Sequence, residues 1–222
     1  MGRAFALAMA AEGADVAVTT RTLDAESAAL VRELEQHGVR AFAVACDVTL
    51  PEQVTDAVSG AAEALGGLDI LVNNAGVYET APLEALTPEQ WDAMYLTNTR
   101  GPFLMGQAAL PHLQFQQGKI INIGSLGGLK PLVTHGHYCA SKAALHMLSQ
   151  TMAKAWAPGV SVNCVAPGMI VFPGEAGGLA AKTPMRRDGS PEDVVSAVLY
   201  FATAPAFVTG QVLAVDGGLG LV

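Results

Sequence analysis

The chain has 222 residues, of which 51% are hydrophobic and 14% charged, with 24 glycines; this suits a single α/β domain whose sheet is buried on both faces and joined by tight glycine turns. A formal net charge of −8 argues against a nucleic-acid partner, which needs a basic face, and no apolar run approaches the roughly 20 residues that span a bilayer. Cys46, Cys139 and Cys164 are odd in number and the start lacks a signal-type pattern, so the expectation is a cytoplasmic protein with small-molecule ligands.

In chain order, β-rich apolar runs at 15–20, 41–46, 70–73, 119–123, 160–165 and 211–215 alternate with helical patterns at 3–12, 24–37, 51–65, 88–113, 138–156 and 191–203. Thr87-Pro88-Glu89 and Ser190-Pro191-Glu192 each offer an N-cap, a proline at the first helical position and an early acid. Helices between consecutive strands predict parallel pairing through right-handed crossovers: one Rossmann-type, doubly wound domain over 1–222, with ligands at the strands' carboxyl ends. The stretch 172–189, with glycines at 174, 177, 178 and 189 and prolines at 173 and 184, reads as a mobile loop or lid.

Tyr138 and Lys142 stand at i and i+4 in YCASK, so on a helix both side chains leave one face. A neighbouring ammonium favours the phenolate, which predicts a lowered tyrosine pKa and an acid/base pair. The spacing alone arises by chance in about one such chain in eleven. Ser125 ends the run KIINIGS, where a hydroxyl can reach a ligand oxygen; a plain turn serine reads equally well from the residues alone. Asn98, inside the predicted 88–113 helix, has low helix propensity and reads as either structural or functional.

Together, LDILVNNAG at 68–76, Asn98, Ser125, YCASK at 138–142, SVNCVAPG at 161–168 and FVTGQVLAVDGG at 207–218 resemble the short-chain dehydrogenase/reductase family, specifically its compact single-domain members, over nearly the whole chain. The resemblance implies that Tyr138 is the general acid/base, that Ser125 orients a carbonyl, that Lys142 tunes Tyr138 and holds the nicotinamide ribose, and that Asn98 anchors a water in the proton relay. It also implies a homo-oligomer, usually a tetramer, with the helices at 88–113 and 138–156 at one interface.

For the cofactor, the resemblance places Gly2 at the end of a phosphate loop, Asp47 and Val48 beside the adenine, Asn74, Ala75 and Gly76 (after Asn73) near the adenine ribose, and Pro167, Gly168 and Ile170, with Tyr138 and Lys142, at the nicotinamide end. Many family members carry a threonine where this chain has Phe172, and the shortened loop there is similar to the pteridine-reductase-like branch. At the end of the second family strand the chain reads Thr19-Thr20-Arg21-Thr22, with no acid for a ribose 2′-hydroxyl and with Arg21 suited to a 2′-phosphate; NADPH is the favoured cofactor, with NADH possible. The family's first strand and glycine-rich loop are missing ahead of Met1. That strand belongs between the 15–20 and 70–73 strands, where two edges are expected to stand unpaired, and weak pyrophosphate binding is expected of a chain starting at Met1.

His135, His137 and Cys139 form H-x-H-x-C, but no fourth ligand stands nearby, so no metal is expected; His137 is instead a candidate for the substrate pocket, while His146 reads as an ordinary helix residue. The expected function is NADP(H)-dependent reduction of a carbonyl or a pteridine-like C=N, with 3-oxoacyl thioesters as an alternative substrate class. The rival reading is a non-catalytic nucleotide-binding sensor.

Overall fold

The computed structural model describes residues 1–175 and 178–222; residues 176 and 177 of the 172–189 segment lie outside the described residues. Six parallel strands form: β1 (Val16–Thr20), β2 (Ala41–Ala45), β3 (Ile70–Asn73), β4 (Lys119–Ile123), β5 (Ser161–Pro167) and β6 (Val212–Val215). The helices are α1 (Gly2–Ala11), α2 (Ala25–Glu35), α3 (Pro51–Leu65), α4 (Pro88–Tyr95), α5 (Gly101–Phe115), α6 (Gly136–Trp156) and α7 (Pro191–Thr203). Local chemistry starts and stops them: reciprocal capping boxes join Asp24 to Ser27, Thr87 to Gln90 and Ser190 to Asp193. Gly66, at φ 80°, closes α3 in the left-handed conformation that a side chain would resist.

The sheet is split, with β1 and β2 forming one ladder and β3-β4-β5-β6 another. A cleft of about 770 Å³ separates them, lined by Val16 to Thr20 on one side, Ile70 to Val72 on the other and α1 residues such as Phe5. Among the described residues the facing edges of β1 and β3 pair with no strand, as the sequence predicts. Helix packing bridges the gap: Cys46, Val54, Ala57 and Val58 from the β2–α3 side share a buried cluster with Met105, Ala109, Leu113 and Ile120 from α5 and β4. A second cluster, with Phe5, Ile121, Val165 and Val198, joins α1 and α7 to the other face of the four-stranded ladder.

The sequence predicts one helix over 88–113, whereas the structure has a π-helical segment, Leu96–Arg100, between α4 and α5. Pro102 explains it. In α register its amide would donate to the carbonyl of Asn98, and proline has none; the ladder slips, and the Gly101 N–H donates to the Leu96 carbonyl five residues back. The 172–189 segment also differs from the expected loose loop, because its second half is tied down. Met185 N–H donates to the Gly217 carbonyl at 3.2 Å, Leu179 N–H to Asp188 at 2.5 Å, and Arg187 grips Asp193. Thr183 is buried there.

A buried polar chain seats α6 on the sheet. Asn73 on β3 donates to Asn122 on β4 at 2.8 Å, Asn122 donates to Ser149 on α6 at 2.8 Å, and Ser149 donates to the Leu145 carbonyl at 2.7 Å. Every member is satisfied, so the chain fixes the height of α6 over the strand ends. Truncating a core side chain should cost what its burial implies: Ile121→Ala, fully buried on β4, is expected to lower unfolding free energy by about 2–5 kcal/mol. Phe207→Ala, at 99% exposure, should change it by less than about 0.5 kcal/mol. Urea denaturation of both variants reads the contrast.

Candidate active site

The carboxyl ends of β3, β4 and β5 stand in register, with Asn73 beside Asn122 and Asn122 beside Cys164, so the segments leaving them gather along one edge. Ser125 follows β4 and opens the 3-10 turn Leu126–Gly128, its hydroxyl accepting from Gly127 N–H at 3.0 Å. Tyr138 lies in the first turn of α6 and faces this turn. A Cβ built on Gly127 would lie 3.3 Å from Tyr138 Cε1, 3.4 Å from Ser125 Oγ and 3.3 Å from Cys139 Sγ. Glycine is what leaves the space between those three groups open.

Lys142, one turn along α6 from Tyr138, is 5% exposed and donates from Nζ to the Ile123 carbonyl at 2.8 Å. Burial pushes its pKa down to about 8. The ammonium lies 5.9 Å from the centroid of the Tyr138 ring. The sequence predicts that this cation draws the phenol's pKa down; the structure has it raised, because burial of the phenol outweighs the lowering hydrogen bond from Ser125, with Tyr78 and Cys139 adding smaller upward contributions. The ammonium is turned toward Ile123, which is why it does not govern the phenol.

Asn98 sits in the π-helical segment and is fully buried. Its Oδ1 accepts from Val77 N–H at 2.8 Å, and its Nδ2 donates to the Val77 carbonyl at 2.9 Å and to Ser141 Oγ at 3.1 Å. The side chain thus clamps the segment after β3 to α6, with its amide hydrogens engaged. Gly76 packs into this clamp: a Cβ there would be 3.2 Å from Asn98 Oδ1 and 3.6 Å from Lys142 Nζ.

The residues expected at a cofactor line the same edge. Gly2 begins α1 against Asn74, so closely that a Cβ would lie 2.9 Å from Asn74 Nδ2, and no side chain caps that helix start. Arg21 follows β1 and is exposed. Asp47 follows β2 and accepts from Thr49 N–H at 2.9 Å and Thr49 Oγ1 at 2.7 Å. These bonds, with a smaller contribution from Arg21, hold its carboxyl below the usual range. Val48 packs on Gly101, Ala75 lies exposed between Asn74 and Gly76, and Pro167 ends β5. Gly168 approaches the Asp216 backbone, and Ile170 bridges to Gly189. Gly2 with Asn74, Arg21 with Asp47, and Gly76 with Asn98 and Lys142 are therefore neighbours. Gly2 and Asn74 stand at the cleft, with Arg21 beyond it on the two-stranded side. Phe172 turns its amide to Glu175 at 3.1 Å.

Two histidines, His137 and His146, resolve differently from their sequence readings, and His135 takes a place the sequence did not assign. His137 lines no open pocket: it is completely buried, with neither ring nitrogen hydrogen-bonded among the described residues. His135 is at the mouth instead, bonded to Tyr78 and, through Nδ1, to Thr134 Oγ1 at 3.0 Å. His146 is no ordinary helix residue. Its Nε2 accepts from Ser125 N–H at 3.4 Å, and its ring fills the space above Gly124 and Gly128, where a Cβ would come within 2.2 Å and 2.5 Å of it. Burial and the nearby Lys142 lower its pKa to about 4, so it is neutral at pH 7. Its signal in the sequence was the i+4 step from Lys142 combined with glycines on both sides of Ser125. Cys46 and Cys164 are buried and free, and burial pushes Cys164 up to about 11.

Comparison with known proteins agrees with this architecture. The family profile described as Enoyl-(Acyl carrier protein) reductase matches residues 1–220. The short-chain dehydrogenase/reductase eriH of Hericium erinaceus is 34% identical over 98% of this chain and 92% of its own. The 2-(S)-hydroxypropyl-CoM dehydrogenase 3 of Xanthobacter autotrophicus is 36% identical over 99% and 92%. The crystal structure of a gluconate 5-dehydrogenase from Burkholderia cenocepacia, in complex with NADP and tartrate, superposes with a TM-score of 0.91 at 34% identity, covering 99% of this chain and 90% of that one. By profile, sequence and fold together, the chain belongs to the short-chain dehydrogenase/reductase family of NAD(P)-dependent oxidoreductases.

Proposed function

We propose that the protein reduces a small carbonyl compound with NADP(H), Tyr138 donating the proton. The observation that carries this reading is the convergence of the Ser125 hydroxyl and Tyr138 phenol on the space kept open by Gly127, with the Lys142 ammonium buried one turn behind. The nicotinamide nucleotide, when bound, supplies the hydride. This chain's residues fit such a group: the close contact of Gly2 with Asn74 and the uncapped start of α1 leave backbone amides for its phosphates, and Gly76 leaves room beside Lys142 for a ribose.

Ser125 Oγ hydrogen-bonds the carbonyl oxygen and holds the carbon facing the cofactor side. Tyr138 transfers its phenolic proton to that oxygen as charge develops there. Because burial raises the pKa of Tyr138, the phenol carries the proton that reduction consumes, while oxidation requires the phenolate. Lys142 places positive charge behind the phenol and presents donors to a ribose. The Asn98 main-chain carbonyl, to which Pro102 has no N–H to donate, would hold the water that resupplies protons through Lys142. His146 positions Ser125 through its backbone amide.

Arg21, beside hydroxyl-bearing Thr20 and Thr22 and with no acid following β1, supports a 2′-phosphate and hence NADPH over NADH; the Burkholderia relative crystallised with NADP is consistent with this. Half-exposed Trp91, Leu96 and Phe103 with Met147 give α4 to α6 an apolar outer face that supports a homotetramer. Three free cysteines support a reducing, cytoplasmic setting.

Tyr138→Phe is expected to lower kcat by about 10²–10⁴-fold while NADPH binding, followed by fluorescence titration, is retained. Unchanged turnover would reject the assignment. Lys142 gives a second test through stability. Its ordinary pKa is 10.5 and its folded value about 8, so between those values the unfolded chain binds a proton that the folded chain has released, and the lysine's contribution to stability rises with pH. Below about pH 8 the folded protein bears the cost of burying the charge. Lys142→Met is therefore expected to be more stable than the parent at pH 7, by on the order of 3 kcal/mol, and to lose that advantage by pH 10.5. Cys164 titrates in the opposite sense, and the Lys142 charge bears on both Cys164 and His146, so the difference between the two denaturation curves reads Lys142 together with its effect on these two neighbours.

A further inference from the structure

The Tyr138 ring is supported unevenly. Glycine at 127 leaves open space beside it, where a Cβ would stand 3.3 Å from its Cε1, and the Lys142 ammonium, 5.9 Å from the ring centroid, is turned to Ile123. Among the described residues, the one aromatic ring of another tyrosine packed on it is Tyr78, edge-to-face with centroids 5.0 Å apart and planes at 85°, the arrangement in which two aromatic quadrupoles attract. Tyr78 is 62% exposed, and side chains so exposed ordinarily change rotamer within nanoseconds. This one is tied at both ends. The residue before it, Val77, has its N–H and its carbonyl held by buried Asn98 at 2.8 and 2.9 Å. Its hydroxyl is hydrogen-bonded to Nε2 of His135, the residue that precedes α6, and His135 Nδ1 is bonded to Thr134 Oγ1 at 3.0 Å. His135, Tyr78 and Tyr138 form a row of rings with centroids 5.1 and 5.0 Å apart.

We propose that Tyr78 is a positioning residue: its tethered ring braces the Tyr138 ring and covers the phenol from water, so that the proton donor keeps one orientation toward the space above Gly127. The inference rests on the proton-transfer reading above. A bond that merely joined the two segments would be redundant, since Ala81 N–H already donates to the Thr134 carbonyl at 3.0 Å and an exposed side-chain bond adds little to that join. What the bond to His135 does is hold the tip of a ring whose face or edge lies on Tyr138. A tyrosine swings about two side-chain torsions, and a proton donor displaced by about 1 Å can lose up to 10²-fold in rate. The titratable and polar groups around the Tyr138 phenol are Ser125 from the 3-10 turn, Tyr78 from the segment after β3, and Cys139 and Lys142 from α6. Burial is the largest cause of its raised pKa; the Ser125 hydrogen bond opposes it, and Tyr78 and Cys139 add to it. Removing the Tyr78 ring therefore acts in one direction: water reaches the phenol, and its pKa falls toward the ordinary value. Reduction consumes the proton-bearing form, so the alkaline limb of turnover moves to lower pH.

Tyr78→Ala and Tyr78→Phe separate the ring from its hydroxyl. With butan-2-one as the carbonyl and NADPH oxidation as the readout, Tyr78→Ala is expected to lower kcat about tenfold, with KM within about twofold, and to bring the alkaline fall of kcat to lower pH. Tyr78→Phe keeps the ring and should stay within about threefold of the parent, with the alkaline limb unmoved. His135→Ala unties the ring without removing it and should fall between the two; His135→Gln, which can still bond the Tyr78 hydroxyl, should recover most of that loss. Carbon NMR of protein labelled in its tyrosine rings decides the contact without turnover. The Tyr138 resonance should move toward the phenolate at a pH up to about one unit lower in Tyr78→Ala than in the parent, and at the parent's pH in Tyr78→Phe. An unmoved Tyr138 titration in Tyr78→Ala overturns the proposal, and so does a Tyr78→Phe variant as slow as Tyr78→Ala. Failure of the proton-transfer reading looks different, because Tyr138→Phe would then turn over like the parent whatever the Tyr78 variants do.

Discussion

Much of the site is arranged around one buried cation. The Lys142 ammonium is 5% exposed and, among the described residues, its one acceptor is the Ile123 carbonyl, so the fold bears a desolvation cost that pulls its pKa to about 8. That cost is tolerable only if α6 stands at a fixed height over β4, and the chain from Asn73 through Asn122 to Ser149 sets that height. The same helix then carries Tyr138 one turn before the lysine and His146 one turn after it. Tyr138 meets Ser125 from in front while His146 supports the Ser125 amide from behind. One helix placed by a buried polar chain thus sets three side chains against a single strand end.

Asn98 completes the arrangement from the other side, and it does so because Pro102 breaks the helix register. In a regular helix the residue would keep the α register of 88–113; in the π-helical segment its side chain reaches both the segment after β3 and α6. Gly76 and Tyr78 are thereby fixed relative to Lys142 and Tyr138. The mouth of the site is built from loops, but the loops are held by a fully satisfied buried amide, which gives them the definition that catalysis by positioning demands.

The parts legible in the sequence were those set by local rules. All six strands fall within two residues of their β-rich runs, because buried parallel strands are short apolar blocks flanked by turns. Proline-marked helix starts at Pro88 and Pro191 are read as easily. Pro102 was not, because a proline inside a helical pattern could end, kink or re-register it, and only the donors around Asn98 decide. The tyrosine pKa failed for a related reason: i and i+4 spacing places Lys142 beside Tyr138 but not the carbonyl of Ile123, which turns the ammonium away. His135 and His137 show the same limit. Two residues apart at a helix start, one is buried and one faces the mouth, and without the start of α6 at Gly136 their faces cannot be assigned.

The split sheet divides the site's labour. Ser125, Tyr138 and Lys142 belong to the four-stranded ladder, while Arg21, Asp47 and Val48 follow strands of the two-stranded one. Among the described residues no ladder hydrogen bonds cross from β1 to β3, so the distance between these two groups is set by helices: α3 packs on α5 through Ala57, Val58, Met105 and Ala109, and α1 leans on α7 through Phe5 and Val198. Side-chain packing is less directional than a strand ladder, so this distance is the softest dimension of the site. The proton transfer proposed for Tyr138 draws on only one of the two halves, whereas the proposed dinucleotide site would draw on both. Geometry around Tyr138 is therefore the better-determined property of this chain, and the reach from Asn74 to Arg21 across the cleft is the one that packing on either side of it can change.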